Sequence, residues 1–253
     1  MGLKTGSPFV KTKEELEVMR RAGRIVGKLL KLMEKEARPG ISTKRLDELA
    51  ESFIRSEGAE PAFKGYYGYP ATICTSVNEE VVHGIPSSRI LKEGDIIGID
   101  VGAKLDGYYS DAARTFPIGE VDSNGRRLIE VTREALLRGI SQAVEGNRLT
   151  DISWAVQSFA EKEGFSVVRQ YVGHGIGRKL HEEPQVPNFG KPHQGPELVE
   201  GMALAIEPML NLGTAEVEVL EDGWTVVTKD RQRSGHFEQT IFVGKYKAEI
   251  VTE

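Results

Sequence analysis

A chain of 253 residues can form one large domain or two small ones, and either size can bury a proper core. Hydrophobic residues make up 39% and charged residues 28%, which excludes a disordered chain. The net charge of −5 excludes a bulk basic field for nucleic acid, though a local basic patch could still serve a ribosome contact.

The N-terminal stretch MGLKTGSPFVKTKEE has no apolar signal region, and Gly6 stands where a myristoylation motif needs Ser or Thr. Thr12-Lys13-Glu14-Glu15 reads as a capping box. Behind it Leu16, Met19, Ala22, Ile25, Val26, Leu29, Leu30 and Met33 keep helical spacing as far as Pro39-Gly40. A second helix carries Leu46, Leu49, Ala50, Phe53 and Ile54 and stops at Gly58. A Gly/Tyr-rich stretch, Lys64 to Pro70, leads into short strand-like runs and a hairpin turning at Asp106-Gly107.

The order then repeats. A long helix is expected from about Asn124 to Val144, and Thr150 is read as the cap of another ending at Gly164. Ser52-Phe53 and Glu57-Gly58 recur as Ser158-Phe159 and Glu163-Gly164 at a constant offset. Glu93-Gly94 leading to Ile99-Asp100 recurs as Glu200-Gly201 leading to Ile206-Glu207. We read an internal duplication whose halves, about 12–120 and 121–253, pair around a pseudo-twofold axis within one domain of residues 1–253. Asp100 and Glu207 are then equivalent positions facing each other across the seam, where a pocket is expected. No apolar run reaches the length of a membrane span. A lone Cys74 excludes an intramolecular disulfide and points to a reducing compartment, so the chain is read as cytoplasmic.

Chemistry gathers in a few segments. A two-residue turn at Asp106-Gly107 pairs Leu105 with Tyr108 and Gly102 with Asp111, making Asp100 a diagonal neighbour of Asp111 on one face. Either aspartate alone reads as a strand-end cap or a surface charge; the register makes them a pair. His174 lies in Tyr171-Val172-Gly173-His174-Gly175-Ile176-Gly177, whose glycines would let a ligand approach. His83 and His181 sit in comparable Gly/Pro-shaped turns, while His193 and His236 read as surface residues or as supports behind a site. Glu207 and Glu238 are acids set in apolar strands, to be explained by a metal or by a salt bridge. Four carboxylates and one imidazole would suit a pair of divalent cations, and paired cations activate water. Cys74 has no Cys/His/Asn setting and reads as a buried structural thiol. GHGIG and GYYGYP match neither a P-loop nor a dinucleotide fingerprint.

These segments resemble type I methionine aminopeptidase over nearly the whole chain. The matching stretches are GYPATICTSVNEEVVHGIP, GDIIGIDVGAKLDGYYSDAARTF, GHGIGRKLHEEPQVPNFG, GMALAIEPM and DGWTVVTKDRQRSGHFEQTIFVG. The resemblance implies the α+β pita-bread fold, a curved antiparallel sheet backed by helices in two pseudo-symmetric halves. It implies that Asp100, Asp111, His174, Glu207 and Glu238 hold two divalent metal ions (Co, Mn, Fe or Zn). Asp111 and Glu238 would bridge, Asp100 would chelate one ion, and His174 and Glu207 would bind the other. It is chiefly the resemblance that brings His174 and Glu238 into the set. His83 and His181 would contact the scissile peptide, and Glu207 would also carry protons. Phe63, Tyr66, Tyr69, Cys74 and Trp224 match the positions of the methionine slot, though the same aromatics read equally as ordinary core.

The implied activity is removal of the initiator methionine from nascent polypeptides with a small second residue, by a monomer in transient contact with the ribosome. The chain's own Met1-Gly2 start would qualify as a substrate. Gln239, Leu180 and Gly102 depart from residues frequent in the family, and none is a ligand. Xaa-Pro aminopeptidases and prolidases share the fold and ligands but usually carry a large extra N-terminal domain. A pita-bread binding module without metals should have lost ligands, and all five are present. A zinc-finger extension and the type II insertion are both absent, so a bacterial-type enzyme is expected.

Overall fold

The computed structural model describes residues 9–253, so the Met1-Gly2 start lies outside the described residues. Thr12 caps α1 (Lys13–Glu36): its hydroxyl accepts from Glu15 N at 3.2 Å, and the Glu15 carboxylate accepts from Thr12 N at 2.9 Å. Met19, Ala22, Val26, Leu29, Leu30 and Met33 are fully buried, each large side chain contributing about 1.5–3 kcal/mol of transfer free energy. The helix stops at Glu36, ahead of Pro39-Gly40, and Gly40 takes a left-handed φ of 92°. Ser42 caps α2 (Thr43–Ser56), and Gly58 follows with φ 76°.

In the second half Asp122 caps α3 (Ser123–Ser141), accepting from Gly125 N at 2.8 Å. The last helix, α4 (Leu149–Lys162), differs from expectation: it begins before Thr150, which is not its cap. The Thr150 hydroxyl instead donates to Gln194 O at 3.0 Å and accepts from Gln194 N at 2.8 Å. Asp151 secures the helix start by accepting from Arg148 N at 2.8 Å.

Two antiparallel sheets lie against these helix pairs. In the first, Ile96–Leu105 and Tyr108–Pro117 form a hairpin, with Ile73–Val77 and Glu60–Pro61 along the far edge of Ile96–Leu105. Asp106 (φ 49°) and Gly107 (φ 83°) are both left-handed, the turn whose twist suits a hairpin. Leu105 pairs with Tyr108 and Gly102 with Asp111, the register read from the sequence. The second sheet runs in the order Glu249–Ile250, Gln239–Phe242, Ala203–Ile206, Gly173–Gly175, Glu182–Val186.

One core joins α1 and α2 to the first sheet, and another joins α3 and α4 to the second. The result is an α+β pita-bread fold.

The halves are stitched where Tyr108–Pro117 passes residues 236–240. Glu238 N donates to Ala113 O at 2.9 Å, and Asp111 N donates to the Thr240 hydroxyl at 3.1 Å. That hydroxyl's proton reaches Asp111 O at 2.8 Å and Oδ1 at 3.1 Å. Thr115 Oγ1 donates to His236 O at 2.9 Å and accepts from His236 N at 2.8 Å. The seam therefore runs through two of the acids singled out above.

Candidate metal centre and substrate cavity

Asp100 stands in the middle of Ile96–Leu105, and Asp111 stands diagonally across from it on the partner strand. His174 is the central residue of Gly173–Gly175, Glu207 directly follows Ala203–Ile206, and Glu238 directly precedes Gln239–Phe242. Those three strands are neighbours in the second sheet, so their side chains meet the aspartates at the seam. Ligand atoms of Asp111, His174 and Glu238 all lie within 4.8 Å of one another. His174 Nε2 is 3.6 Å from Asp111 Oδ2 and 3.6 Å from Glu207 Oε1. Asp100 joins through charge: it is felt by Glu207 and Glu238, and Asp111 acts on it in turn.

The glycines of GHGIG serve the strands rather than a ligand. A Cβ on Gly173 would lie 2.4 Å from Ala205 O, and one on Gly175 would lie 2.2 Å from Glu183 O. Their absence of side chains lets three backbones close around His174.

Burial dominates the electrostatics. It pushes the carboxyls of Asp100, Glu207 and Glu238 well above the usual range, and the neighbouring carboxylates push them further. Asp111 is raised by burial to about 6, restrained by the His181 ring and the Thr240 hydroxyl. Burial pushes His174 down to about 4, so its ring is neutral.

His174 Nδ1 lies 2.9 Å from Gly175 O, a carbonyl that can only accept, so Nδ1 carries the proton and Nε2 presents a lone pair. That lone pair converges with carboxyl oxygens of Asp111 and Glu207. Among the described residues no lysine or arginine pairs with any of the four acids, which removes the salt-bridge reading of Glu207 and Glu238. Asp100 Oδ1 is buried without a hydrogen-bond partner. A cluster of hard oxygens and one imidazole with no basic side chain paired to it fits divalent cations.

The acids floor a cavity of about 270 Å³ whose walls include Phe63, Tyr66, Tyr69, Cys74, His83, His181 and Trp224. Every residue of the sequence-derived set therefore reaches one cavity. The aromatics are also core, since Phe63, Tyr69 and Cys74 belong to one buried cluster. The Tyr69 hydroxyl donates to Ile73 O (3.1 Å) and Gly84 O (3.0 Å), and its ring meets Trp224 edge-on at 5.1 Å. Burial pushes the Cys74 thiol well up, with Asp100 adding to it, so it is a wall and not a nucleophile.

His83 holds a left-handed φ of 61° and meets the Tyr171 ring edge-on at 5.5 Å. His181 packs edge-on against His174 at 4.3 Å, and its Nδ1 lies 2.9 Å from the Tyr66 hydroxyl. Both rings are pushed down to about 4, by burial first and then by a neighbouring histidine.

Several participants escaped the sequence reading. Tyr67 lines the cavity mouth, with 86% of its surface exposed. Thr240 grips Asp111 from the other half. His236 is buried with Nε2 3.8 Å from Glu207 Oε2, so of the two expectations for it the supporting one applies. His193 is a surface residue, its side chain 84% exposed beside Asp151. Nothing local marks Thr240, because its partner Asp111 lies 129 residues away in the chain. Of the departures, Leu180 lines the cavity, whereas Gln239 turns to the Thr252 hydroxyl behind the sheet.

A model of metallopeptidase family M24 matches residues 17–245. A methionine aminopeptidase of Clostridium acetobutylicum is 54% identical over 245 residues, covering 96% of this chain and 98% of its own. Methionine aminopeptidase 1 of Bacillus subtilis is 54% identical over 242 residues, with 96% and 98% covered. The crystal structure of methionine aminopeptidase from Rickettsia prowazekii superposes with a TM-score of 0.95 at 43% identity, covering 96% of this chain and 99% of that one.

Proposed function

The chain belongs to metallopeptidase family M24, among its type I methionine aminopeptidases, and from that premise we propose that Asp100, Asp111, His174, Glu207 and Glu238 hold two divalent metal ions that serve its reaction. The reaction itself is removal of the initiator methionine, a hydrolysis of the first peptide bond. The observation that carries the metal proposal is the convergence of carboxyl oxygens around the His174 Nε2 lone pair. Asp111, His174 and Glu238, whose ligand atoms lie within 4.8 Å of one another, would form the heart of the set, with Asp100 and Glu207 completing it. When bound, divalent cations supply an acidified water near neutral pH and polarise a carbonyl.

The side chains would do the rest. Glu207 takes the proton of the attacking water and hands it to the leaving amine. His181 donates an N–H to the carbonyl oxygen as negative charge develops there. His83 holds the scissile amide from its turn at the cavity wall. Phe63, Tyr66, Tyr69, Cys74 and Trp224 enclose the methionine side chain, whose thioether suits an apolar aromatic slot. The cavity of about 270 Å³ has to hold both that side chain and the scissile peptide beside the acids, and a small second residue is expected.

The same reading makes residues 1–253 one catalytic unit with halves of about 12–120 and 121–253, supported by the matched helix pairs and sheets. We place the enzyme in the cytoplasm as a monomer that meets nascent chains in transient contact with the ribosome. The ions would be cobalt, manganese, iron or zinc, since carboxylate-rich sites accept each of them. No helix among the described residues is long and apolar enough to cross a membrane.

The test is a panel of Met-Gly-, Met-Ala-, Met-Leu- and Ala-Pro-peptides assayed with each metal. Methionine should leave the first two, slowly if at all the third, and alanine should not leave the last. Release of alanine without methionine would overturn the assignment in favour of an Xaa-Pro enzyme.

A further inference from the structure

His181 can act on a carbonyl oxygen only if its single proton sits on the right nitrogen. A neutral imidazole has one donor nitrogen and one acceptor. Nδ1 lies 2.9 Å from the Tyr66 hydroxyl, the two rings tilted 58° with centroids 5.3 Å apart. Nε2, across the ring, is the nitrogen left for the cavity.

We propose that Tyr66 is the positioning residue for His181: its hydroxyl donates to Nδ1, which keeps the ring's one proton on Nε2 and aims it at the reacting carbonyl. This rests on the reading of His181 as the donor to that oxygen, and goes beyond Tyr66's place in the methionine slot.

The geometry sets the direction of the bond. For Nε2 to donate to the carbonyl oxygen, Nδ1 of the neutral ring must accept, and the Tyr66 hydroxyl 2.9 Å from it has a hydrogen to give. The alternative tautomer would spend the imidazole proton on the phenol oxygen and turn a lone pair toward the acids.

The neighbouring tyrosines do not share the role. The Tyr69 hydroxyl is committed to two backbone carbonyls, and Tyr67 stands largely in solvent. His83 has an aromatic edge beside it rather than a hydroxyl.

Tyr66→Phe tests this, because it keeps the ring that lines the slot and removes only the hydroxyl. Loss of an oxyanion donor costs about 100- to 1000-fold, and misorienting one should cost about tenfold in kcat with KM nearly unchanged. In the His181→Ala background the same substitution should change nothing further. Nitrogen NMR of ¹⁵N-histidine-labelled, zinc-supplied protein should show His181 protonated at Nε2 in the parent chain and a mixture of tautomers in Tyr66→Phe.

An unchanged tautomer, or a raised KM with unchanged kcat, would overturn the proposal and leave Tyr66 a wall of the slot. An equal loss from Tyr66→Phe in the presence and absence of His181 would overturn it as well. Failure of the functional reading would show separately, as a parent chain that releases no methionine, while the tautomer spectrum still decides the hydrogen bond.

Discussion

Asp111 is held by a single threonine through its N–H, its carbonyl and its carboxylate. Thr240→Val keeps the shape of that residue but leaves a buried N–H unpaired, which costs about 1–3 kcal/mol. We expect that loss in chemical denaturation, together with weaker metal binding in a titration, since a freed carboxylate must be ordered again on binding. Unchanged stability and affinity would show that the seam holds Asp111 without it. The contrast with Asp100 shows what is legible at this scale. Asp100 and Asp111 could be paired from the sequence because the Asp106-Gly107 turn fixes their register locally. Thr240 could not, since 129 residues separate it from Asp111 and a lone threonine in an apolar strand carries no pattern. For His236 the sequence left a surface and a supporting place open, and only the fold sets it beside Glu207.

Among the elements, the hairpin Ile96–Pro117 does most for the site, and Gly102 is its narrow point. A Cβ there would lie 2.6 Å from Phe63 Cε1 and 2.8 Å from Ala62 Cβ, so the glycine is what lets Phe63 reach the slot. Gly102→Ala should push Phe63 inward and raise KM for methionyl peptides several-fold while changing kcat less, by steady-state kinetics. A kcat loss at constant KM would mean that the strand, not the slot, had moved.

Helices α1, α2 and α3 were readable from apolar spacing, and the start of α1 also from its local cap, since Thr12 bonds to Glu15; the end of α3 was overrun, since it stops at Ser141 rather than Val144. The start of α4 was misread because Thr150 looks like a cap, yet its hydroxyl bonds to Gln194, 44 residues away. The glycines beside His174 were likewise marked correctly as places of close approach, but the visitor is a neighbouring strand.

In the whole molecule, two helix-backed sheets meet over four acids that no lysine or arginine among the described residues neutralises, and pH follows from this. Burial lowers His83, His174 and His181 to about 4 and His236 to about 3, so their contribution to stability grows as pH rises toward 6.5. The raised carboxyls act oppositely: the contribution of Asp111 is lost as pH rises through about 6, and those of Asp100, Glu207 and Glu238 as pH rises through their own raised values. Above pH 6.5 the histidine gain is complete, so the Tm of chelator-treated protein should fall as the pH is raised further, while the gain in Tm on adding metal should grow. Calorimetry that finds the metal-free Tm rising over that range would contradict the assigned burial. The two helix pairs that frame the site were legible in the sequence, whereas the depth of the site, which sets these shifts, depends on packing that only the fold supplies. The central claim, that these five side chains hold the metal and that the neighbouring histidines do not, is tested most directly by calorimetric titration of the chelator-treated chain with Mn²⁺ or Co²⁺. The account predicts two ions bound, binding weakened in His174→Ala with turnover abolished, and binding retained in His181→Ala although turnover falls. Equal loss of metal in both variants would contradict it.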